Sequence, residues 1–243
     1  MLMNKLKIAL IGYGKMGKTI ESLAIKKNHD IILKTSSSNP LEKNLAVLPD
    51  VDVAIEFTSP EIVAANLEIL ATNRVNTVCG STGWLDDYDR LTELFSNQGA
   101  AFLYASNFSV GVNIFFALNR QLAKMMNNWP EYSVSLEESH HIQKKDAPSG
   151  TAVTLANQII EASQQYKSWT LGAVDDTDSI DIKAHREGDV KGMHTVKYKS
   201  DIDQIEIKHE AFSREGFAMG ALMAAEWLQE KKGIYSMRDV IGI

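Results

Sequence analysis

The sequence contains a single cysteine, Cys79, among its 243 residues. It cannot form an internal disulfide, so a small disulfide-built scaffold is excluded. No apolar run approaches the ~20 residues that a membrane-spanning helix requires. No internal repeat and no low-complexity tract interrupts the chain. Basic residues are the minority: 25 lysines and arginines against 31 aspartates and glutamates give a net charge of −6, with no basic stripe to neutralise a phosphate backbone. Neither nucleic acid nor membrane is therefore an expected partner. The stretch from Met1 to Leu10 places Lys5 and Lys7 ahead of a short apolar run, too brief for a signal-peptide core and followed by glycines instead of a cleavage site. A cytoplasmic setting is expected. What is present, 44% hydrophobic and 23% charged residues, is an ordinary globular mixture long enough for two modest domains.

Lys7 to Ile11 reads as a strand that stops at Gly12-Tyr13-Gly14-Lys15-Met16-Gly17, after which Thr19 to Lys27 has helical spacing. Further strand patterns at 29–33, 51–57, 77–79 and 101–104 alternate with helical stretches at 62–72 and 86–97, which argues for a parallel, doubly wound sheet. Beyond Pro130 the texture changes. Val134 and Leu136, Val196 and Tyr198, Ile205 and Ile207 alternate with polar residues as half-buried antiparallel strands do. The expected architecture is α/β. A Rossmann-type parallel-sheet dinucleotide-binding domain spans residues 1–109 and 214–243, because the apolar helix from Ala218 to Leu228 suits the first domain better. An inserted α+β domain with a mixed or antiparallel sheet spans 110–213, with helices at Gly111 to Met126 and Thr151 to Gln164.

Three segments carry chemistry. In Gly12-x-Gly14-x-x-Gly17 the first glycine turns the chain, the second lets a pyrophosphate approach and the third packs helix on strand; the helix N-terminus then holds the anion. About 20 residues on, where an acid would grip the 2′-hydroxyl of NAD, stand Lys34-Thr35-Ser36-Ser37-Ser38. These residues suit a 2′-phosphate, so NADPH should at least be accepted; a merely polar loop is the alternative. The densest polar stretch runs from Glu138 to Thr151. Strand parity places Glu138 and His140 on one inward face. His140 suits a general acid near neutral pH, and Lys144 offers positive charge to an anionic substrate. Ser149, Gly150 and Thr151 open a helix whose free N–H groups suit a carboxylate. Paired histidines also suit zinc, but strand neighbours point to opposite faces and no thiol cluster assists, so no metal is expected. His209 shares parity with Ile205 and Ile207 and reads as structural. Arg214 reaches either an anion or a surface carboxylate, and Cys79 reads as an inert core residue.

Together these motifs resemble the dihydrodipicolinate (4-hydroxy-tetrahydrodipicolinate) reductase family nearly end to end. The likeness rests on Gly12 to Gly17, Glu56-Phe57-Thr58, Gly80-Ser81-Thr82-Gly83-Trp84 and Ala105 to Asn113. Its most specific part is His140-His141-x-x-Lys144-x-Asp146-Ala147-Pro148-Ser149-Gly150-Thr151, with Arg186-Glu187-Gly188, Gly192-x-His194 and Ser213-Arg214 in support. The resemblance implies NADPH or NADH as cofactor. Gly12, Tyr13, Gly14, Lys15 and Met16 would lie at its pyrophosphate, Ser36 at the adenosine ribose, and Gly80, Ser81, Thr82, Ala105, Ser106, Asn107 and Phe108 along the ribose and nicotinamide. It further implies His140 as proton donor, Lys144 as its cationic partner, His141, Gly150 and Thr151 on the substrate carboxylates, and a homotetramer built through the second domain's sheet. The chain is somewhat short for that family and has neither acid nor arginine at the cofactor-specifying position. Two other readings stay open: a related dehydrogenase acting on an amino-acid-derived imine, and a nucleotide-sensing protein that kept the fold without turnover.

Overall fold

The computed structural model describes residues 4–172 and 176–243. Met1 to Met3, the first residues of the expected dinucleotide-binding domain, lie outside the described residues. The chain divides into two compact units, 1–110 with 215–243, and 111–214. Val110 thus falls with the first unit and Arg214 with the second.

In the first unit, strands β1 (Lys7–Ile11), β2 (Asp30–Lys34), β3 (Val53–Glu56), β4 (Thr77–Cys79), β5 (Ala101–Tyr104) and β11 (Gly233–Tyr235) form one sheet in the order β11-β5-β4-β3-β1-β2. Every pairing in it is parallel. Crossover helices α1 (Lys15–Lys26), α2 (Pro60–Thr72) and α3 (Tyr88–Gln98) connect the strands, and α6 (Glu215–Leu228) returns to this unit late in the chain. The central strands β3 and β4 are buried throughout because helices cover both faces. One apolar layer joins Ile20 and Ala24 of α1 to Ala218, Leu222 and Ala225 of α6. The other joins Val63 and Leu67 of α2 to Leu91 and Phe95 of α3. The α1 helix is longer than its apolar spacing suggests, starting within the glycine turn itself. The β11 strand, three residues of modest pattern, is an addition to the expected sheet.

In the second unit, β6 (Ser133–His140), β7 (Ser168–Leu171), β8 (Ser179–Arg186), β9 (Met193–Lys199) and β10 (Gln204–Glu210) are ordered β10-β9-β6-β8-β7. The β6·β9 and β9·β10 pairs are antiparallel, as the alternation suggests. The β6·β8 and β7·β8 pairs are parallel, so the sheet is mixed. Helices α4 (Val110–Met126) and α5 (Gly150–Ala162) supply apolar residues to one sheet face, where Val112, Phe115, Phe116, Leu155 and Ile159 meet Val134, Leu136, Ile180, Ile182, Val196 and Tyr198. The α5 helix ends two residues before Gln164, since Ser163 has already turned to extended backbone.

Candidate active site

The inward row of β6 reads Val134, Leu136, Glu138, His140, and its registered partners on β9 are Tyr198, Val196 and His194. On the other side β8 places Arg186 opposite His140. The sheet face is therefore apolar at one end and polar at the other. Glu138 is fully buried there. Its two carboxylate oxygens accept from the Ser149 backbone N–H at 3.1 and 3.2 Å, and Oε1 accepts from Arg186 Nη2 at 3.1 Å. His194 Nε2 stands 3.5 Å and His140 Nδ1 3.6 Å from Oε2. One carboxylate thus ties β6, β8 and β9 to the start of α5.

The charge states follow from these contacts. Burial favours a neutral Glu138, but hydrogen bonds from His194 and Ser149 and the nearby His140 outweigh it and bring its pKa down to about 2. Burial, reinforced by His194 and opposed by Glu138, lowers His140 to about 4, so its imidazole is neutral at pH 7 in the free protein. Glu138, His140 and His194 present one ligand atom each within 4.8 Å, a possible metal geometry formed with His194 and not the adjacent His141. Arg186 and the Ser149 N–H already claim that carboxylate, which favours a proton-handling cluster over a cation site.

The neighbouring loop collects positive charge and donors. Lys144 Nζ lies 2.9 and 2.7 Å from the two carboxylate oxygens of Asp146, and Arg186 also donates to the Asp146 carbonyl. Arg214 Nη2 lies 3.0 Å from His141 Nε2. Ser149 is buried: its Oγ accepts from Ala152 N–H at 3.2 Å, capping α5, and sits 3.1 Å from His194 Nε2. It therefore belongs to the scaffold that presents Gly150 and Thr151, which are exposed and half-buried. His209 extends the polar row, paired in register with His194 and stacked on Phe115.

In the first unit, Gly12 has φ +94°, and a Cβ there would lie 2.2 Å from the Phe57 carbonyl oxygen. A Cβ on Gly17 would lie 2.5 Å from the Gly12 oxygen. These two glycines are demanded by the chain's own packing. Gly14 is different: a Cβ there would meet no protein atom within 4 Å, and as N-cap of α1 it makes no side-chain cap. Open room in front of uncapped helix N–H groups fits the pyrophosphate of a dinucleotide. Lys15 and Met16 begin α1, and Tyr13 N–H donates to the Thr35 carbonyl at 2.9 Å, tying the turn to the end of β2 beside Ser36.

The other expected cofactor residues divide in the same way. Thr82 and Ser106 are exposed, and Gly80, Ala105 and Asn107 half-buried. Ser81 and Phe108 are buried in protein contacts: Ser81 Oγ donates to the Thr58 carbonyl at 3.1 Å, and Phe108 packs on Phe57 with ring centroids 5.8 Å apart. Glu56, also fully buried, holds the adjoining turn by accepting from Thr58 N–H at 3.1 Å. Sequence reasoning assigned no role to Glu56 or to the pairing of Glu138 with His194. An acid on an otherwise apolar strand was the available signal for Glu56; the pairing of Glu138 with His194 comes from the β6·β9 register, which leaves none.

A Rossmann-type unit with a glycine turn, in one chain with a unit that carries a histidine–carboxylate cluster, defines a two-unit pyridine-nucleotide oxidoreductase. Residues 6–108 match the family model described as dihydrodipicolinate reductase, N-terminus, and residues 111–241 that described as its C-terminus. The 4-hydroxy-tetrahydrodipicolinate reductase of Christiangramia forsetii is 48% identical over 236 residues, covering 97% of this chain and 98% of that protein. The enzyme of the same name from Rickettsia rickettsii is 35% identical, covering 98% and 100%. A solved dipicolinate-bound dihydrodipicolinate reductase from Paenisporosarcina sp. TG-14 superposes with a TM-score of 0.77 at 22% identity, over 98% of this chain and all of that one. The chain belongs to the dihydrodipicolinate reductase family. Among the described residues, no helix is long and apolar enough to cross a membrane.

Proposed function

We propose that the protein reduces (2S,4S)-4-hydroxy-2,3,4,5-tetrahydrodipicolinate to (S)-2,3,4,5-tetrahydrodipicolinate with loss of water, using NADPH or NADH, in diaminopimelate and lysine synthesis. The observation that carries this reading is the polar end of the second sheet, where Glu138, His140 and His194 adjoin the α5 N-terminus and the cations Lys144, Arg186 and Arg214. A dicarboxylate needs that surplus of donors. Gly150 and Thr151 offer N–H groups to one carboxylate, and Lys144 exchanges Asp146 for the other, with His141 beside Arg214 in support. Loss of the 4-hydroxyl together with a C3 proton, as water, leaves a conjugated ring, to whose C4 the nicotinamide, when bound, would supply a hydride. Electron density then moves along the ring, and His140 returns a proton to it. Its Nδ1 faces Glu138, which leaves Nε2 as the donating atom. Two substrate carboxylates beside the imidazole oppose the effect of burial and raise its pKa, which charges the acid only once substrate is present.

In this reading residues 1–110 and 215–243 hold the cofactor and 111–214 hold the substrate. The free protein is a cytoplasmic homotetramer. One observation supports assembly: the sheet face opposite α4 and α5 carries the exposed side chains of Glu137, Lys183, Lys199, Glu206 and Lys208, and among the described residues no helix of the same unit supplies apolar residues to it. Calorimetric titration with pyridine-2,6-dicarboxylate tests the substrate half directly. The parent should bind it and Lys144→Met should bind at least about tenfold more weakly, the scale of one charge-assisted contact. Absence of binding by folded parent protein would remove the reading.

A further inference from the structure

The end of β2 carries no acid, yet the fold brings one there from another element. Glu21, on the second turn of α1, reaches across so that its Oε1 lies 3.1 Å from Lys34 Nζ at the last residue of β2. Its other oxygen accepts from the Tyr13 hydroxyl. Lys34 Nζ also stands 4.9 Å from the centre of the Tyr13 ring, with Lys18 Nζ on the same ring at 5.9 Å. Tyr13 is the second residue of the glycine turn, and Gly12 N–H donates to Thr35 Oγ1 at 3.0 Å. This cluster therefore stands between the phosphate turn and the β2 end, where a Rossmann fold reads the adenosine ribose.

We propose that Glu21 and Lys34 form a charge pair that sets the preference between 2′-hydroxyl and 2′-phosphate cofactors, Glu21 acting against the phosphate and Lys34 for it. This rests on the first unit binding a pyridine dinucleotide. A 2′-phosphate must draw Lys34 away from Glu21 and then stand beside a bare carboxylate. A 2′-hydroxyl instead donates to Glu21, in place of the Tyr13 hydroxyl, and leaves Lys34 on its partner. The pair so balanced admits both cofactors, although the β2 end holds neither of the residues that usually decide the matter. The carboxylate that sequence spacing places at the end of a strand is here supplied by a helix.

The two members act with opposite sign, which separates specificity from a structural role. Calorimetric dissociation constants for 2′,5′-ADP and 5′-AMP are measured on the parent, Glu21→Gln, Lys34→Gln and the double variant, with melting temperature as the control for folding. Glu21→Gln should raise the affinity for 2′,5′-ADP relative to 5′-AMP by about tenfold, the effect of one charge some 6 Å from a phosphate in a largely aqueous setting. Lys34→Gln should lower the same ratio by a similar factor, and the double variant should return close to the parent. Both shifts should shrink as salt is raised. Ratios within twofold of the parent in both single variants, or shifts of the same sign, would overturn the proposal while leaving the cofactor unit intact. A parent that binds neither nucleotide would overturn both this proposal and the cofactor reading beneath it.

Discussion

Replacing Glu138 by glutamine keeps the shape of the side chain and removes its charge. In the parent that charge receives two N–H contacts from Ser149 and one from Arg186, and faces two imidazole rings. The amide retains one acceptor oxygen but points an NH2 group at donors, so at least one of these contacts becomes repulsive. Breaking a buried ion pair costs about 3–5 kcal/mol, and the Arg186 side chain is 20% exposed. Arg186 keeps its bonds to the His185 and Asp146 carbonyls, which moves the expectation to the lower end of that range. A second route gives the same size. A fall from 4.5 in the unfolded chain to about 2 in the folded one is equivalent to about 3 kcal/mol. Because the folded value is depressed, that stabilisation is fully present above pH 4.5 and is lost as pH falls towards 2. Urea unfolding at pH 7 should show Glu138→Gln destabilised by about 3 kcal/mol, or about 6–12 °C in melting temperature. The gap to the parent should narrow steadily below pH 4.5. A variant within about 0.5 kcal/mol of the parent at pH 7, or a gap that does not change with pH, would refute the reasoning.

Three further expectations follow from the same geometry. His140→Ala should lower kcat by roughly two to four orders of magnitude in protein that circular dichroism shows to be folded, as removal of a general acid does. NMR titration of the parent should place the His140 imidazole near pH 4 and move it upward by at least about one unit when pyridine-2,6-dicarboxylate is added; an unshifted value would separate His140 from the substrate. Lys144→Met should reduce kcat/KM by about 100-fold, mainly through KM, since truncating one partner of a desolvated charge pair costs about 2–5 kcal/mol; steady-state kinetics reads the split. Gly14→Ala should leave the melting temperature unchanged and weaken NADPH and NADH binding by at least about tenfold, because its Cβ has no protein atom to strike, only the space a pyrophosphate would take; fluorescence titration decides.

Legibility in the sequence followed how local each feature is. The β1 strand, glycine turn and α1 are contiguous, and each glycine's role depends on neighbours within a few residues or on a backbone position it must avoid. Glu138 and His140 lie two apart on one strand, so parity alone places them together. His194 joins them only through the β6·β9 register, which alternating patterns do not specify. The parallel pairing of β8 with β6 was equally hidden, because alternation on a half-buried strand reads as antiparallel. Ser149, expected beside a substrate carboxylate, is buried under Glu138 and His194, where its Oγ caps α5. Glu21 was out of reach entirely, since a carboxylate delivered from a helix to a strand end leaves no spacing signature.

The most direct test of the central claim is absorbance at 340 nm, with the substrate generated in place from pyruvate and aspartate semialdehyde by the preceding synthase. Oxidation of NADPH or NADH that requires both that synthase and this protein, and that collapses in His140→Ala, is the expected result. Folded protein that binds nucleotide yet oxidises neither cofactor would contradict it.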